Sequence, residues 1–491
     1  MAARLGNCDT TGRDRRTSVC VDRSVRQPRP SRLATSLCLV RGTLGRRGIG
    51  IWKSNAAVFS VRNRHYPRRI NGDTVPSMAL RLPATRSFVT QGAVLVVSAA
   101  LLVLSEPAGA QPSPGISEFG EGATPSTYTN FTVQPVAPNP GGNTYVGNVT
   151  AVMSLDGKPE VFAMGSNGHL YRFVQGPTAS WQPPVDLTQN TSGAPDIDTS
   201  PQAILDGPHV SVFALAQGSG DLVDYEDNGA GGTWTVSDLN TLTGSALKFA
   251  SFTALDIPTW ASFVFGDTSS GQLVEVVDDH LFGNVWNSYD ISSTSSFISV
   301  TDVPSVVTSG IRLAFGTGTA FHIYLRGKDT DHLIEYTDDH LWGNVWNAYD
   351  QTKNSGGPSI SGHPSALTWN LTPHVYAAST GAALTEFIPD GGGGRLWNAY
   401  DQSRASTFAV KASPVALLGT ILPAASNSPV PTVIANLTNG ELETFIADHA
   451  NPAYSWSTYD ATSSSGGPQP TSDPAAVGGA GQPVYVFALT S

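Results

Sequence analysis

Residues 273–290 read LVEVVDDHLFGNVWNSYD and residues 333–350 read LIEYTDDHLWGNVWNAYD, so two stretches of this chain are nearly identical. A weaker copy, LTEFIPDGGGGRLWNAYD, occupies residues 384–401. Each copy contains two short runs with β-branched and aromatic residues, separated by Gly, Asp or Asn. Such runs are typical of two β-strands joined by a turn. The duplication therefore predicts a repeat architecture built from β-hairpins.

Three further copies, starting at Leu170, Leu222 and Leu442, follow the same template. Between successive copies come two short apolar stretches, the second rich in Val, Phe and Tyr, which we interpret as two more strands. Each repeat then holds four short antiparallel strands in about 50 residues, which is the size of a propeller blade. One tryptophan marks the last strand of each copy: Trp181, Trp234, Trp286, Trp346, Trp397 and Trp456.

The number of strand pairs decides the number of blades. Six hairpins carry a tryptophan, but there are seven apolar strand pairs, because residues 483–489 (PVYVFAL) supply one more. Its outer half is found at the other end of the chain, where residues 116–119 (ISEF) match 384–387 (LTEF) and Tyr128 takes the approximate place of Trp397. We therefore predict an all-β fold, a seven-bladed β-propeller of four-stranded antiparallel blades with the seventh blade shared between the N- and C-termini. Closing the ring removes open sheet edges, and six blades with terminal tails are the alternative.

The first 110 of the 491 residues differ from the rest. Residues 1–77 hold all three Cys and 16 of the 28 Lys and Arg residues. They lack hydrophobic periodicity, which predicts disorder or a miscalled upstream segment. Residues 78–110 combine two Arg, an apolar run and the small residues Ala108-Gly109-Ala110, which predicts a secretory signal peptide, with an N-terminal anchor or a buried strand as the alternative. Residues 111–491 are the predicted propeller, and we expect the protein to be secreted.

Charge narrows the classes of partner. Beyond residue 110, Asp and Glu outnumber Lys and Arg by 34 to 10, and there is no Cys. An acidic surface repels phosphate, so we expect neither nucleic acid nor an anionic membrane as partner. The apolar run at 92–104 is too short for a membrane span, so membrane insertion is not expected. The lack of Cys excludes disulfides, thiolate metal sites and a Cys nucleophile from this region.

The repeated tryptophans have two interpretations. Their rings pack one blade on the next, or their faces stack on the apolar face of a sugar ring. Three copies favour sugar binding, because they keep an amide, a phenol and a carboxylate beside the indole, and these groups recognise hydroxyls. The predicted carbohydrate-binding residues are Trp286, Asn287, Tyr289, Asp290, Trp346, Asn347, Tyr349, Asp350, Trp397, Asn398, Tyr400, Asp401, His280 and His340.

His280 and His340 each follow two Asp residues, in what we predict to be the loop between the third and fourth strands. A single His beside adjacent carboxylates is not a tetrahedral ligand set, and no EF-hand loop is present. We therefore expect no metal and no cofactor. A solvated turn is the main interpretation of these Asp residues, and a contact with a sugar hydroxyl is the alternative.

An acid recurs near the start of the third strand of most repeats, at Glu118, Asp224, Glu275, Glu335 and Glu386. Catalysis needs one differentiated site, so we interpret the repeated acids as hydrogen-bond anchors within each blade rather than as a glycosidase pair. The inner strands carry Asp256 as their only acid, and no P-loop, GxSxG or HExxH motif accompanies it. We predict no catalytic residues and expect no enzyme. An extracellular glycoside hydrolase or lyase, and a protein-interaction scaffold, are the alternatives.

Residues 159–171 read PEVFAMGSNGHLY, and Trp181 follows ten residues later. This segment resembles the repeat of bacterial seven-bladed β-propeller lectins of the tectonin-like class, which runs E-V-F-A-x-G-x-D-G-x-L-W and then has a second Trp. Tyr171 stands where that family has its first Trp. The resemblance extends over residues 111–491 in rhythm. It implies metal-free binding of sugars, commonly fucosylated or methylated glycans, in shallow pockets between adjacent blades.

Together these patterns predict a secreted, lectin-like protein, a monomer or weak oligomer, with several weak sites between its blades. Its expected partners are glycans on a cell surface or an extracellular polysaccharide. Several weak sites on one rigid ring gain avidity when the geometry allows them to bind together.

Overall fold

The computed structural model describes residues 6–7, 19–20, 115–121, 131–136 and 144–490, the last range with short gaps. The gaps are residues 230–232, 258–259, 280–284, 294–296, 314–315, 339–345, 391–395, 404–408, 412, 420–428, 449–454 and 479–483. Contacts divide the chain into Met1–Leu101 and Leu102–Ser491. In the first unit, β1 (Gly6–Asn7) pairs with β2 (Val19–Cys20). The predicted signal peptide lies outside the described residues and stays a prediction.

The second unit consists of seven four-stranded antiparallel sheets, as predicted. Its first strands are β3 (Gly115–Glu121) and β4 (Phe131–Pro135). Blade 1 is β5 (Tyr145–Met153), β6 (Pro159–Gly165), β7 (Leu170–Val174) and β8 (Val185–Asp186), and blade 2 is β9 (Gln202–Asp206), β10 (His209–Leu215), β11 (Leu222–Asp227) and β12 (Trp234–Asp238). Blade 3 is β13 (Phe249–Ile257), β14 (Ala261–Thr268), β15 (Leu273–Asp279) and β16 (Val285–Asp290), and blade 4 is β17 (Val300–Leu313), β18 (Gly316–Gly327), β19 (Leu333–Asp338) and β20 (Trp346–Asp350). Blade 5 is β21 (Ile360–Trp369), β22 (Thr372–Ser379), β23 (Leu384–Pro389) and β24 (Trp397–Asp401), and blade 6 is β25 (Val415–Gly419), β26 (Val430–Asn436), β27 (Leu442–Asp448) and β28 (Ser455–Asp460).

Blade 7 is built from both ends of the unit, which confirms the predicted shared blade. Its strand order is β29 (Ala475–Val477), β30 (Tyr485–Thr490), β3 and β4. The strands β30 and β3 pair antiparallel, and Ser117 Oγ lies 3.0 Å from Thr490 Oγ1 in a buried contact between the two ends. The pairing of β3 with β4 corrects one expectation. Phe131, opposite Glu121, holds the register position that Trp397 holds opposite Pro389, and Tyr128 lies outside the described residues.

The hydrophobic core lies between the blades. In the described part of the chain, each of seven buried apolar clusters combines residues of two neighbouring blades, including one cluster between blades 7 and 1. The inner strands also contact each other in sequence, from β5 through β9, β13, β17, β21, β25 and β29 back to β5. The sheets therefore form a closed ring in which each blade is packed on both faces.

Hydroxyl groups join the inner strands of successive blades. The Ser305 hydroxyl accepts a hydrogen bond from the Ala366 backbone N–H at 2.8 Å, and the Ser365 hydroxyl accepts one from the Ala416 N–H at 2.9 Å. Thr150 makes the same kind of bond to Ala203 at 3.3 Å. These bonds satisfy backbone donors that no strand within the blade can reach.

A short helical turn follows the outer strand in most blades, which the sequence analysis did not predict. The turns are α1 (Leu187–Asn190), α2 (Leu239–Thr243), a 3₁₀ turn (Ile291–Ser293), α3 (Gln351–Ser355) and α4 (Ala461–Ser465). An Asp at the end of the outer strand caps each one, as Asp350 does by accepting the Lys353 N–H at 2.9 Å. The second residue of the turn, such as Thr352, accepts a hydrogen bond through its side-chain oxygen. The donor is the backbone N–H of the leucine that starts the third strand of the same blade, here Leu333.

The structure corrects two expectations about acidic residues. Asp278 and Asp338 lie in the third strands, where they pair with Trp286 and Trp346, and both are buried, so they are not loop residues in a solvated turn. The inner strands also carry more acid than Asp256, because the hydrogen-bonded ladders extend to Asp206 in β9 and to Asp302 in β17. The apolar stretches seen in the sequence mark only the central part of each ladder.

None of the helices among the described residues is long and apolar enough to cross a membrane.

Candidate functional site

Six tryptophans pack against the preceding blade: five lie in outer strands, and Trp181 lies just before β8, in a bridge to Gln175. Each ring meets, mostly edge to face, the aromatic residue in the second strand of that blade, at centroid distances between 5.7 and 6.2 Å. The pairs are Phe162–Trp234, Phe213–Trp286, Phe265–Trp346, Tyr324–Trp397, Tyr376–Trp456 and Phe487–Trp181. We call each such contact, with the polar residues beneath it, a blade junction.

The residue paired with that aromatic in the third strand is the recurring acid. In blade 5, the Glu386 carboxylate accepts hydrogen bonds from His374 Nδ1 at 2.7 Å, from the Tyr376 hydroxyl at 2.9 Å and from the Gln402 amide. In blade 4, Glu335 binds the corresponding His322, Tyr324 and Gln351. These contacts confirm that the acids of blades 4 and 5 anchor hydrogen bonds within their own blade.

Burial and the neighbouring Glu335 carboxylate hold the pKa of Tyr324 well above its usual range, so this phenol stays a donor. Trp397 and Trp456 lie over the aromatic residues of these two networks. Their indole N–H groups are buried and have no hydrogen-bond partner in the described part of the chain. The two junctions are therefore closed and largely internal.

The junction between blades 7 and 1 is more open. Glu118 accepts hydrogen bonds from the Trp181 indole N–H at 2.7 Å and from the Gln134 amide at 2.6 Å. Burial raises the pKa of Glu118, although these hydrogen bonds act against the rise. Trp181 itself is only half-buried. Here an acid anchor reaches across the junction to the tryptophan, which the sequence analysis did not predict.

The junction between blades 1 and 2 has a different composition. Arg172 occupies the position that an acid holds in most other blades, and its Nε donates to Glu160 Oε2 at 2.7 Å. The Arg172 guanidinium lies 5.4 Å from the centre of the Trp234 ring, in a cation–π arrangement. The side chains of Arg172 and Glu160 keep 19% and 11% of their surface exposed, and Trp234 is half-buried. In the sequence, this group could have been recognised because Arg172 is a basic residue at a position where most other repeats have an acid.

The predicted tryptophans differ in exposure. Trp346 is 2% exposed and Trp397 is 4% exposed, whereas Trp286 is half-buried. Because the rings of Trp346 and Trp397 are enclosed by apolar neighbours, the packing interpretation explains their position in this structure. Their assignment to glycan binding stays a prediction.

The other predicted site residues lie on two faces of the outer strands. Asn347 and Asn398 are exposed, as are Tyr289, Tyr349 and Tyr400, each between 43% and 48%. Asn287 is half-buried, and its amide donates to the Val285 carbonyl at 2.9 Å. Asp290 and Asp350 accept backbone N–H groups three residues on, and Asp401 accepts the Ser403 N–H. His280 and His340 lie outside the described residues.

Charged groups also meet at the start of the inner strands. Arg326 lies 3.3 Å from Asp302, and His363 lies 3.7 Å from the same carboxylate. Burial would raise the pKa of Asp302, but the neighbouring His363 and Arg326 outweigh it and hold that pKa below its usual value. Among the residues that the structure describes, no three His, Cys, Asp or Glu side chains are placed to hold a metal ion.

Several solved structures, including two described as lectins, are similar to this chain. The BP39L lectin from Burkholderia pseudomallei is 16% identical, over 63% of this chain and 82% of that one, with a TM-score of 0.46. AofleA from Arthrobotrys oligospora is 11% identical, over 71% and 90%, with a TM-score of 0.42. The fungal lectin from Aleuria aurantia, described as a six-bladed β-propeller with a novel mode of fucose recognition, is 14% identical, over 64% and 96%, with a TM-score of 0.37.

No family model matches the chain, and no curated protein matches it. At sequence identities of 11 to 16%, these similarities do not establish the function of this chain. The function proposed below therefore rests on the geometry of the blade junctions.

Proposed function

We propose that this protein is a secreted, lectin-like carbohydrate-binding protein whose weak sites lie at blade junctions. The group formed by Arg172, Glu160 and Trp234 carries the proposal. It combines a fixed guanidinium donor and an aromatic ring, both partly accessible to solvent, with a largely buried carboxylate acceptor. Vicinal sugar hydroxyls need donors and acceptors side by side, and the apolar face of a sugar packs on an aromatic ring.

The partial exposure of the Arg172 side chain, at 19%, favours ligand binding over a purely structural role. A guanidinium at the surface is hydrated. The Arg172 guanidinium is instead held by Glu160 and by the indole of Trp234, and about a fifth of the side-chain surface stays exposed to solvent. Such a donor fork loses little conformational freedom when it binds a ligand. The junction between blades 7 and 1, with Glu118 bound to Trp181, supports a second weak site of the same kind. Two or more such sites on one ring give the avidity expected for a glycan-coated surface or an extracellular polysaccharide.

The test is a glycan array probed with the full chain, with and without a chelator, followed by titration of the best ligand. Arg172→Ala should weaken binding at this site about ten- to 150-fold, because a hydrogen bond to a charged group contributes about 1.5–3 kcal/mol. Arg172→Lys should restore only part of the affinity, since it keeps the charge but loses the fork. Chelator should have no effect.

Unchanged binding by folded Arg172→Ala would contradict the proposed site, and binding that depends on the chelator would contradict the metal-free proposal. The matched control is Arg326→Ala, which removes an Arg that is paired with Asp302 and Asp331 in blade 4. A glycoside hydrolase or lyase, and a protein scaffold, remain the alternative functions, and product analysis of the bound glycans tests the first of them.

A further inference from the structure

Three side chains of blade 4 form a continuous hydrogen-bonded chain. The Ser309 Oγ lies 2.7 Å from His322 Nε2, and His322 Nδ1 lies 2.7 Å from Glu335 Oε1. The three residues belong to the adjacent strands β17, β18 and β19, and the alternation of the strands puts them diagonally on one face of the sheet. A hydroxyl, an imidazole and a carboxylate in this order are the parts of an activated nucleophile.

The carboxylate fixes the direction of these hydrogen bonds. Because Glu335 accepts hydrogen bonds through its carboxylate, the proton of the imidazole lies on Nδ1, and Nε2 is left to accept the Ser309 hydroxyl proton. The Tyr324 hydroxyl, 3.1 Å away, and the Gln351 amide also donate to Glu335. They hold the carboxylate in place. The bond from Nδ1 to this carboxylate in turn fixes the orientation of the His322 ring, so that Nε2 faces Ser309.

The same arrangement is incomplete in the neighbouring blade. Blade 5 repeats the bond between His374 Nδ1 and Glu386, at 2.7 Å. At the strand position of Ser309, however, blade 5 has Trp369, whose ring lies 5.2 Å from the His374 ring. The His374 side chain is 5% exposed, compared with 16% for His322. Because the His–Glu pair occurs in two blades, we assign the pair itself a structural role. Blade 4 differs from blade 5 in carrying Ser309 beside its histidine and in the greater exposure of that histidine.

We propose that Ser309, His322 and Glu335 form a nucleophilic site that hydrolyses short-chain carboxylic esters. Ser309 Oγ bonds to the ester carbonyl carbon while His322 Nε2 takes the hydroxyl proton, and His322 then returns that proton to the alcohol as the ester C–O bond breaks. Water attacks the acyl–serine with the same help from His322. The products are a carboxylic acid and free Ser309.

Exposure limits the substrate. Ser309 is buried, with 9% of its surface exposed, so the substrate we propose is an ester with a small acyl group such as acetyl rather than a bulky one. Glu335 is a positioning residue, because it acts through His322. This activity is independent of the proposed carbohydrate binding, since Arg172 and Trp234 lie in other blades.

The experiment treats the full chain with methanesulfonyl fluoride, a serine-reactive reagent whose reactive group is as small as an acetyl group, and measures hydrolysis of p-nitrophenyl acetate. We expect one methanesulfonyl adduct, mapped to Ser309 by mass spectrometry of the wild-type peptides. Ser309→Ala should remove the adduct and lower hydrolysis about 100-fold or more, because the variant also loses the assistance of a general base, which contributes about 10²–10⁴-fold. Glu335→Gln should lower kcat with KM unchanged, because the imidazole loses its orientation.

His374→Gln is the matched control, because it breaks the equivalent pair in a blade without the serine, and it should leave labelling and hydrolysis unchanged. Mapping the adduct on the wild-type chain keeps the test independent of how any variant folds. A folded wild-type chain that takes no label at Ser309 overturns the proposal. So does Ser309→Ala that hydrolyses the ester at the wild-type rate.

Discussion

Closure of the ring predicts that blade 7 contributes as much stability as a blade from the middle of the chain. Phe487 in blade 7 and Phe213 in blade 2 hold equivalent positions, and both are completely buried. Each packs against the tryptophan of the next blade, Phe487 with Trp181 at 5.8 Å and Phe213 with Trp286 at 6.1 Å. Truncating a buried Phe to Ala costs about 3–5 kcal/mol in lost burial and cavity formation.

We expect Phe487→Ala and Phe213→Ala to lower the free energy of unfolding by the same amount within about 1 kcal/mol, since the two cavities have similar neighbours. Urea denaturation followed by tryptophan fluorescence and by far-UV circular dichroism measures both variants. If the last strands were a tail on an open array, Phe487→Ala would unfold at the wild-type midpoint while Phe213→Ala would not. That result would refute the shared blade. Deleting residues 479–491 removes β30 and should open the ring, so we expect the whole propeller to lose cooperative unfolding.

Three further predictions concern single side chains. Burial raises the pKa of Asp267 from 3.8 to about 6, so the folded state binds this proton more tightly than the unfolded state. The free energy of unfolding should therefore fall as the pH rises from about 4 to 6. Asp267→Asn should flatten this pH dependence in urea unfolding and stabilise the protein above pH 6 by up to about 3 kcal/mol. Asp350→Ala should cost about 1 kcal/mol of stability through loss of the helix cap, whereas Asn347→Ala, exposed on the other face, should cost almost none. Trp346→Ala should lower binding in the glycan titration roughly three- to tenfold if its ring contacts sugar; a loss of about 3–5 kcal/mol in unfolding free energy with unchanged affinity would assign Trp346 to packing alone.

The number of blades and the order of the strands could be predicted from the sequence because both are encoded locally. Alternating apolar residues define each strand, and a related stretch that recurs every 50 to 60 residues, nearly identical in two of its copies, defines the blade. The unmatched strand pair at residues 483–489 and the unmatched half at 116–119 then required closure, which the pairing of β30 with β3 confirms. The recurring acids were likewise recognised as anchors, because repetition itself argued against a single catalytic site.

The tertiary structure alone decided what each repeated residue contacts. Trp346 and Trp234 hold the same place in their repeats, but one is buried while the other remains half-exposed over Arg172. Ser309, His322 and Glu335 are each 13 residues apart, and no sequence motif links them. The physical reason is that a strand pattern fixes which way a side chain points, whereas its burial and partners depend on neighbouring strands and on the next blade, which are set by the register of the sheets and the closing of the ring.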